Sequence, residues 1–155
     1  MKKRKLIITA IILAVTVIIA LIYLTGRTQA PKGSLTVTCE GKEVTVNPFI
    51  ADEVVVEGTT INGKGEEKEI SDTGVTLKSV LDLAKISSDE ISSVKVVSSD
   101  EYSAELSASE ITAEGIAYLV GSTEDDGTVS IRLIVFGDSN SKRQVKDVVR
   151  IDVTR

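Results

Sequence analysis

Residues 6 to 24 form an unbroken, uncharged, apolar run directly behind Lys2, Lys3, Arg4 and Lys5. As a helix rising about 1.5 Å per residue, the run is roughly 29 Å long, close to the thickness of a bilayer's hydrocarbon core. The basic cluster belongs on the cytoplasmic side. The expected layout is therefore a cytoplasmic tail (1–5), a transmembrane signal anchor (6–24), a linker (25–33) and an extracytoplasmic domain (34–155). Tyr23 falls where an interfacial aromatic sits, and Arg27 marks the far edge. The competing reading is a cleaved secretory signal, whose apolar region is usually about 7 to 15 residues and ends in an A-x-A-like site. The best such site, Thr28-Gln29-Ala30, is followed by Pro31, which disfavours cleavage. The expected location is the cell membrane, as a single-pass protein.

The part beyond the anchor, Thr25 to Arg155, has room for one ordinary domain. It holds all 23 acidic residues and 14 of the 18 basic ones, a formal charge of −9. Such a surface argues against nucleic-acid partners and against adhesion to anionic lipid. The chain has no histidine and a single cysteine, Cys39. That excludes Ser-His-Asp and Cys-His nucleophiles, histidine-based zinc sites and an internal disulfide. With no Trp, two Phe and three Tyr, the core must be built of Val, Ile and Leu, and a base- or sugar-stacking platform is disfavoured.

Periodicity predicts a strand-rich α+β fold with few, short helices. Leu35, Val37 and Cys39 alternate with threonines, and Val44 and Val46 follow across Glu40-Gly41-Lys42, which predicts a hairpin ended by Pro48. Cys39 falls on its apolar face, so a buried small hydrophobe is the expected role, with a metal ligand or reactive thiol as the alternative. Val54–Val56 and Glu67–Ile70 bracket Asn62-Gly63-Lys64-Gly65. That segment reads as a hairpin turn, the alternative being an anion-cradling loop. Val75, Leu77, Val80, Leu81 and Ala84 have helical spacing around Thr76, a candidate N-cap, giving a helix to about Lys85. Val94–Val97 and Tyr102, Ala104 and Leu106 read as strands around a turn at 98–101. Ser107 and Glu110 have capping-box spacing. Ala117–Val120 and Val129–Phe136 form another hairpin across Asp125-Asp126-Gly127. A loop follows from Gly137 to Gln144, and Val149, Ile151 and Val153 alternate in a last strand.

Several of these segments together resemble a known family. Gly74-Val75-Thr76-Leu77-Lys78-Ser79-Val80-Leu81 is similar to the G-V-x-L-x-x-x-L segment of the sulfite-oxidase-like molybdopterin-binding oxidoreductase domain. Asp100-Glu101-Tyr102 resembles that family's Asp-Gly-Tyr turn. Gly127, Arg132-Leu133-Ile134-Val135, Gly137, Val145-Lys146 and Ile151-Asp152-Val153 resemble its closing pattern, with order and spacing kept from Leu35 to Val153. The resemblance implies that fold, and molybdopterin as the one cofactor to consider. The family's molybdenum is held by a cysteine thiolate shortly before the G-V-x-L segment. Residues 54–73 contain no cysteine, and Cys39 does not correspond. Without a soft thiolate a catalytic molybdenum centre loses its protein anchor. Further departures are Glu101 in place of Gly, missing prolines beside the Arg-Leu-Ile-Val strand, and missing tryptophans near Val-Lys. The resemblance thus implies the scaffold without the reaction centre, and no metal site or catalytic residue is expected.

Family members hold the pterin phosphate with basic side chains and loop backbone. The matching loop here runs from Ser139 to Lys146, and Lys142, Arg143 and Lys146 form its positive patch. Ser141, Lys142, Arg143 and Lys146 supply the hydroxyl, guanidinium and ammonium groups an anion needs. Asp100 and Tyr102 join them only through the resemblance. The plain alternative is a solvated turn whose cations pair with neighbouring acids. The acidic runs Asp89-Glu90 and Glu124-Asp125-Asp126 match no calcium loop.

Three readings follow. The first is a membrane-anchored, non-catalytic module that binds a small anionic or pterin-like ligand, or serves as a subunit of an envelope complex. The second is a molybdopterin oxidoreductase with altered metal attachment. The third is a structural domain whose partners are proteins. A single-span anchor with one buried cysteine fits a bacterial surface protein.

Overall fold

The computed structural model describes Val15, Thr16 and residues 33–155. The chain divides into two units, Met1–Ala30 and Pro31–Arg155, and every element below belongs to the second. The expected tail, most of the membrane span and most of the linker lie outside the described residues. Among the described residues no helix is long and apolar enough to cross a membrane.

The second unit is a strand-rich α+β domain. Its strands are β1 (Leu35–Cys39), β2 (Lys42–Val46), β3 (Val54–Ile61), β4 (Glu67–Thr76), β5 (Ser93–Ser98), β6 (Ser103–Ser107), β7 (Ala117–Thr123), β8 (Val129–Val135) and β9 (Val148–Thr154). Two short α-helices interrupt them, α1 (Leu77–Leu83) and α2 (Ala108–Thr112). One sheet has five strands in the order β2-β1-β9-β5-β6, and the other has four in the order β3-β4-β7-β8. Among the described residues only the β1–β9 ladder is parallel; the other pairings are antiparallel.

Local chemistry explains the boundaries. Glu40 and Gly41 both take left-handed conformations (φ 49° and 77°), which closes the β1–β2 turn in two residues. Thr76 caps α1, its hydroxyl accepting from Ser79 N at 3.1 Å. Ser107 N donates to Glu110 Oε2 at 2.9 Å, the Glu half of the expected capping box. Val75 belongs to the end of β4 rather than to the helical face, because the cap at Thr76 fixes the switch from strand to helix.

The main core fills the space between the sheets. Leu35 and Val37 of β1, Val94 and Val96 of β5, Leu106 of β6 and Ile151 of β9 meet Leu119 and Leu133 of the other sheet, with Leu77, Val80 and Leu81 of α1. Each such aliphatic side chain contributes about 1.5–3 kcal/mol relative to exposure. Cys39 is part of this core, as expected. A second, smaller core covers the opposite face of the four-stranded sheet. It joins Val56, Ile70, Val120 and Ile134, with Tyr118 and Phe136 packed edge to face at 5.9 Å.

One expectation is corrected at β9. The alternation of Val149, Ile151 and Val153 breaks because the β5–β9 register shifts between Val97 and Ser98, pairing Val97 with Arg150 and Ser98 with Val148. Val149 is the extra residue of this bulge. It lies exposed, and Val148 is buried in its place.

Candidate anion-binding site

Side chains on a strand alternate between faces, so Lys68 shares a face with Ile70 on β4, and Arg132 shares one with Ile134 on β8. Both buried isoleucines belong to the smaller core, so the two cations rise at its border. The β3–β4 turn overhangs from one side. Asn62 shapes it as an Asx turn, its Oδ1 accepting from Lys64 N at 2.9 Å and Glu66 N at 3.0 Å. From the other side comes the 137–146 loop. A Cβ at Gly63, in the turn, would stand 3.9 Å from Ser141 Oγ.

The loop is fixed against the outer edge of β8. Gln144 acts there as a surrogate strand residue. Its Oε1 accepts from Val135 N at 3.2 Å, and its Nε2 donates to Val135 O at 2.6 Å. Leu133 N donates to Val145 O at 2.8 Å, and the Val145 side chain is fully buried. This covers an edge that would otherwise be open to pairing.

These elements enclose a cavity of about 330 Å³. Its cationic residues are Lys68, Arg132 and Lys146, its polar ones include Ser141 and Gln144, and Ile61, Ile70 and Ile134 supply the apolar part. Among the described residues Arg132 has one ion pair, with Asp72 at 3.7 Å, and both groups are more than a third exposed. Such a contact is worth little. Among the described residues no carboxylate lies within ion-pair distance of Lys68 or Lys146. The arrangement offers a guanidinium fork, two ammonium groups and a hydroxyl beside an apolar wall, which suits a small anion with an apolar body.

The expected site residues divide between the cavity and the loop's own scaffolding. Ser141 and Lys146 line the cavity. Arg143 is held by two acids: its Nε lies 2.9 Å from Asp138 Oδ2, and its two terminal nitrogens contact Asp138 and Glu110. Those bonds raise the guanidinium's pKa further, with Asp138 the main cause. Glu110 is held below the usual carboxylate range, first by the Ser107 backbone N–H and then by Arg143 and the Ser107 hydroxyl, against an opposing effect of burial. Lys142 is exposed, its N–H donating to Asn140 Oδ1 at 2.9 Å. Tyr102 donates its hydroxyl to the Lys142 carbonyl, and Asp100 Oδ1 accepts from Tyr102 N at 3.0 Å. Tyr102 therefore tethers the loop to the β5–β6 turn, and Asp100 braces that turn. Glu101 stands in that turn at φ 68°, a left-handed conformation that a glycine takes at no steric cost.

Sequence reasoning did not place Lys68 and Arg132 in the site. Their signal is a charge two residues before an apolar strand position, in Lys68-x-Ile70 and Arg132-x-Ile134.

Compared with known proteins, the chain matches no family model and no curated protein.

The donor set does not fit a thiolate-held molybdenum centre. Cys39, the single thiol, is buried within β1, paired in register with Lys42 and Val153 in the five-stranded sheet. The cavity lies on the other sheet and is lined by no cysteine.

Proposed function

We propose that this chain is a membrane-anchored, extracytoplasmic, non-catalytic module with a sulfite-oxidase-like molybdopterin-binding fold, and that it binds a small anionic ligand. The observation that carries the ligand is the convergence of Lys68, Arg132 and Lys146 on one cavity with an apolar wall. On an exported part (Thr25 to Arg155) of charge −9, three cations with at most one weak acidic partner among the described residues mark a place where negative charge is welcome. The anchor rests on the apolar run at 6–24 and its basic flank. The fold assignment rests on the Gly74–Leu81 segment and the closing Arg132–Val153 pattern. The non-catalytic role rests on the absence of histidine and on a single thiol committed to the core.

The test is to purify the full chain in detergent from a host that makes the molybdenum cofactor. Molybdenum is assayed on the native protein and pterin fluorescence on its denatured extract. Pterin without metal supports the binding role directly. Stoichiometric metal and pterin together overturn the non-catalytic reading. If neither is present, the pterin is excluded and the ligand is another anion, to be found by titration at the Lys68–Arg132–Lys146 cavity.

A further inference from the structure

Strand β3 is an outer strand of its sheet, and at eight residues it is longer than the other outer strands β2, β6 and β8. The Asn62 N–H donates to Glu66 O at 2.8 Å. Antiparallel alternation from that bond turns the backbone groups of Gly58 and Thr60 toward β4 and those of Val55, Glu57, Thr59 and Ile61 outward. Among the described residues no strand pairs with that side. The edge of β8 is covered by Gln144 and Val145, whereas among the described residues nothing covers β3 in the same way. It has no proline, no lysine and no bulge in its register with β4, which are the usual protections of an exposed edge.

The side chains along this edge are also distinctive. Glu57 pairs across to Ser71, Thr59 to Glu69 and Ile61 to Glu67, so three glutamates share one face of the hairpin. Glu57, Glu67 and Glu69 are exposed, and among the described residues none of them is in an ion pair. Val55 beside them is 68% exposed. On the other face, Gly58 leaves the edge low beneath the Phe136 ring.

We propose that the open edge of β3 is a docking site for an extended, basic segment of a partner protein, which adds to the four-stranded sheet as a fifth strand. The backbone groups of Val55, Glu57, Thr59 and Ile61 supply the ladder. Lysine or arginine at every second position of the guest lies over the glutamate row, and small apolar residues between them lie against Val56, Gly58 and Phe136. Charge selects this occupant over a second copy of the chain. A β3–β3 pairing would add a second row of glutamates beside the first and join two strongly acidic domains. This site is separate in kind from the anion cavity and does not depend on it.

The test uses the full chain in nanodiscs of zwitterionic lipid and two eight-residue peptides, one alternating Lys and Val, the other Glu and Val. Amide hydrogen exchange is followed residue by residue. The proposal expects the Lys-Val peptide to slow exchange at Val55, Glu57, Thr59 and Ile61 at least tenfold, and the Glu-Val peptide to leave them unchanged. The pair Glu57→Lys with Glu69→Lys should reverse that preference, and Thr59→Pro should abolish binding. Should Thr59→Pro fail to fold, the charge-reversal pair decides alone. Binding of the Lys-Val peptide without slowed exchange at those four amides overturns the proposal, as does equal protection by both peptides. Protection of the four amides in the absence of peptide, together with a doubled sedimenting mass, would assign the edge to a second copy instead.

Discussion

Gly58 lies so close beneath Phe136 that a β-carbon there would stand 2.7 Å from the ring's Cε1. The ring closes the smaller core over Val56, Ile70, Val120 and Ile134, so it has limited room to retreat. Gly58→Ala should destabilise the domain by about 1–3 kcal/mol, the usual cost of forcing extra volume into a packed site. Urea denaturation of Gly58→Ala, Phe136→Ala and the double variant checks this. The double variant should lose less than the two singles combined, because removing the ring removes the clash.

Arg143 binds the loop to α2 through Asp138 and Glu110, and all three side chains are less than a third exposed. Arg143→Lys keeps the charge but loses the planar fork that spans both acids. A loss of about 1–2 kcal/mol is expected, between the values for exposed and buried ion pairs. The same denaturation series measures it, and faster amide exchange at Leu133 and Val135 would place the loosening at the loop.

Glu110 gives this clasp a pH dependence. Its folded pKa lies below the ordinary value of 4.5, chiefly because the Ser107 N–H bonds the carboxylate. A lowered folded pKa contributes stability that is present above the unfolded value and lost as pH falls through the folded one. The urea midpoint should therefore fall as the pH drops below about 4.5. Glu110→Gln should show a shallower acid limb and little change of slope near neutrality.

Gln144 satisfies both backbone groups of Val135 at once. Gln144→Ala leaves them to water or unpaired, at a cost of about 1–3 kcal/mol. Gln144→Glu should do no better, because its carboxylate accepts from the Val135 N–H but has no donor for the carbonyl. Exchange at Val135 should accelerate in both variants.

The strands and turns were legible in the chain wherever a local rule decides the outcome. Leu35, Val37 and Cys39 against Thr36 and Thr38, the Glu40-Gly41 turn, the Thr76 cap and the Ser107–Glu110 spacing all act within a few residues. The misreading of Val149 has a different origin. Its bulge is set by the register of β9 on β5, two strands about fifty residues apart, and no local pattern encodes that. The length of β3 and β4 was hidden for a related reason. Glu57–Thr60 and Ser71–Thr73 carry polar residues and a glycine, so the hydrophobic alternation stops before the ladder does. At the candidate site, Ser141 and Lys146 were legible as a hydroxyl and a cation in one loop. Lys68 and Arg132 join them only because β7 stands between β4 and β8. Arg143 reads in the sequence as one of the loop's anion ligands, yet Asp138 and Glu110, 5 and 33 residues away in sequence, already engage it.

The central claim is that Lys68, Arg132 and Lys146 hold an anion. Its most direct measurement is calorimetric titration of the full chain, in nanodiscs of zwitterionic lipid, with inorganic phosphate and with phenyl phosphate. The wild-type chain is compared with the triple variant Lys68→Gln, Arg132→Gln, Lys146→Gln and with Lys142→Ala. The account predicts binding by the wild type that weakens with added salt, at least tenfold weaker binding by the triple variant, and unchanged binding by Lys142→Ala. Equal binding by the wild type and the triple variant, or no binding of either anion by the wild type, would contradict it.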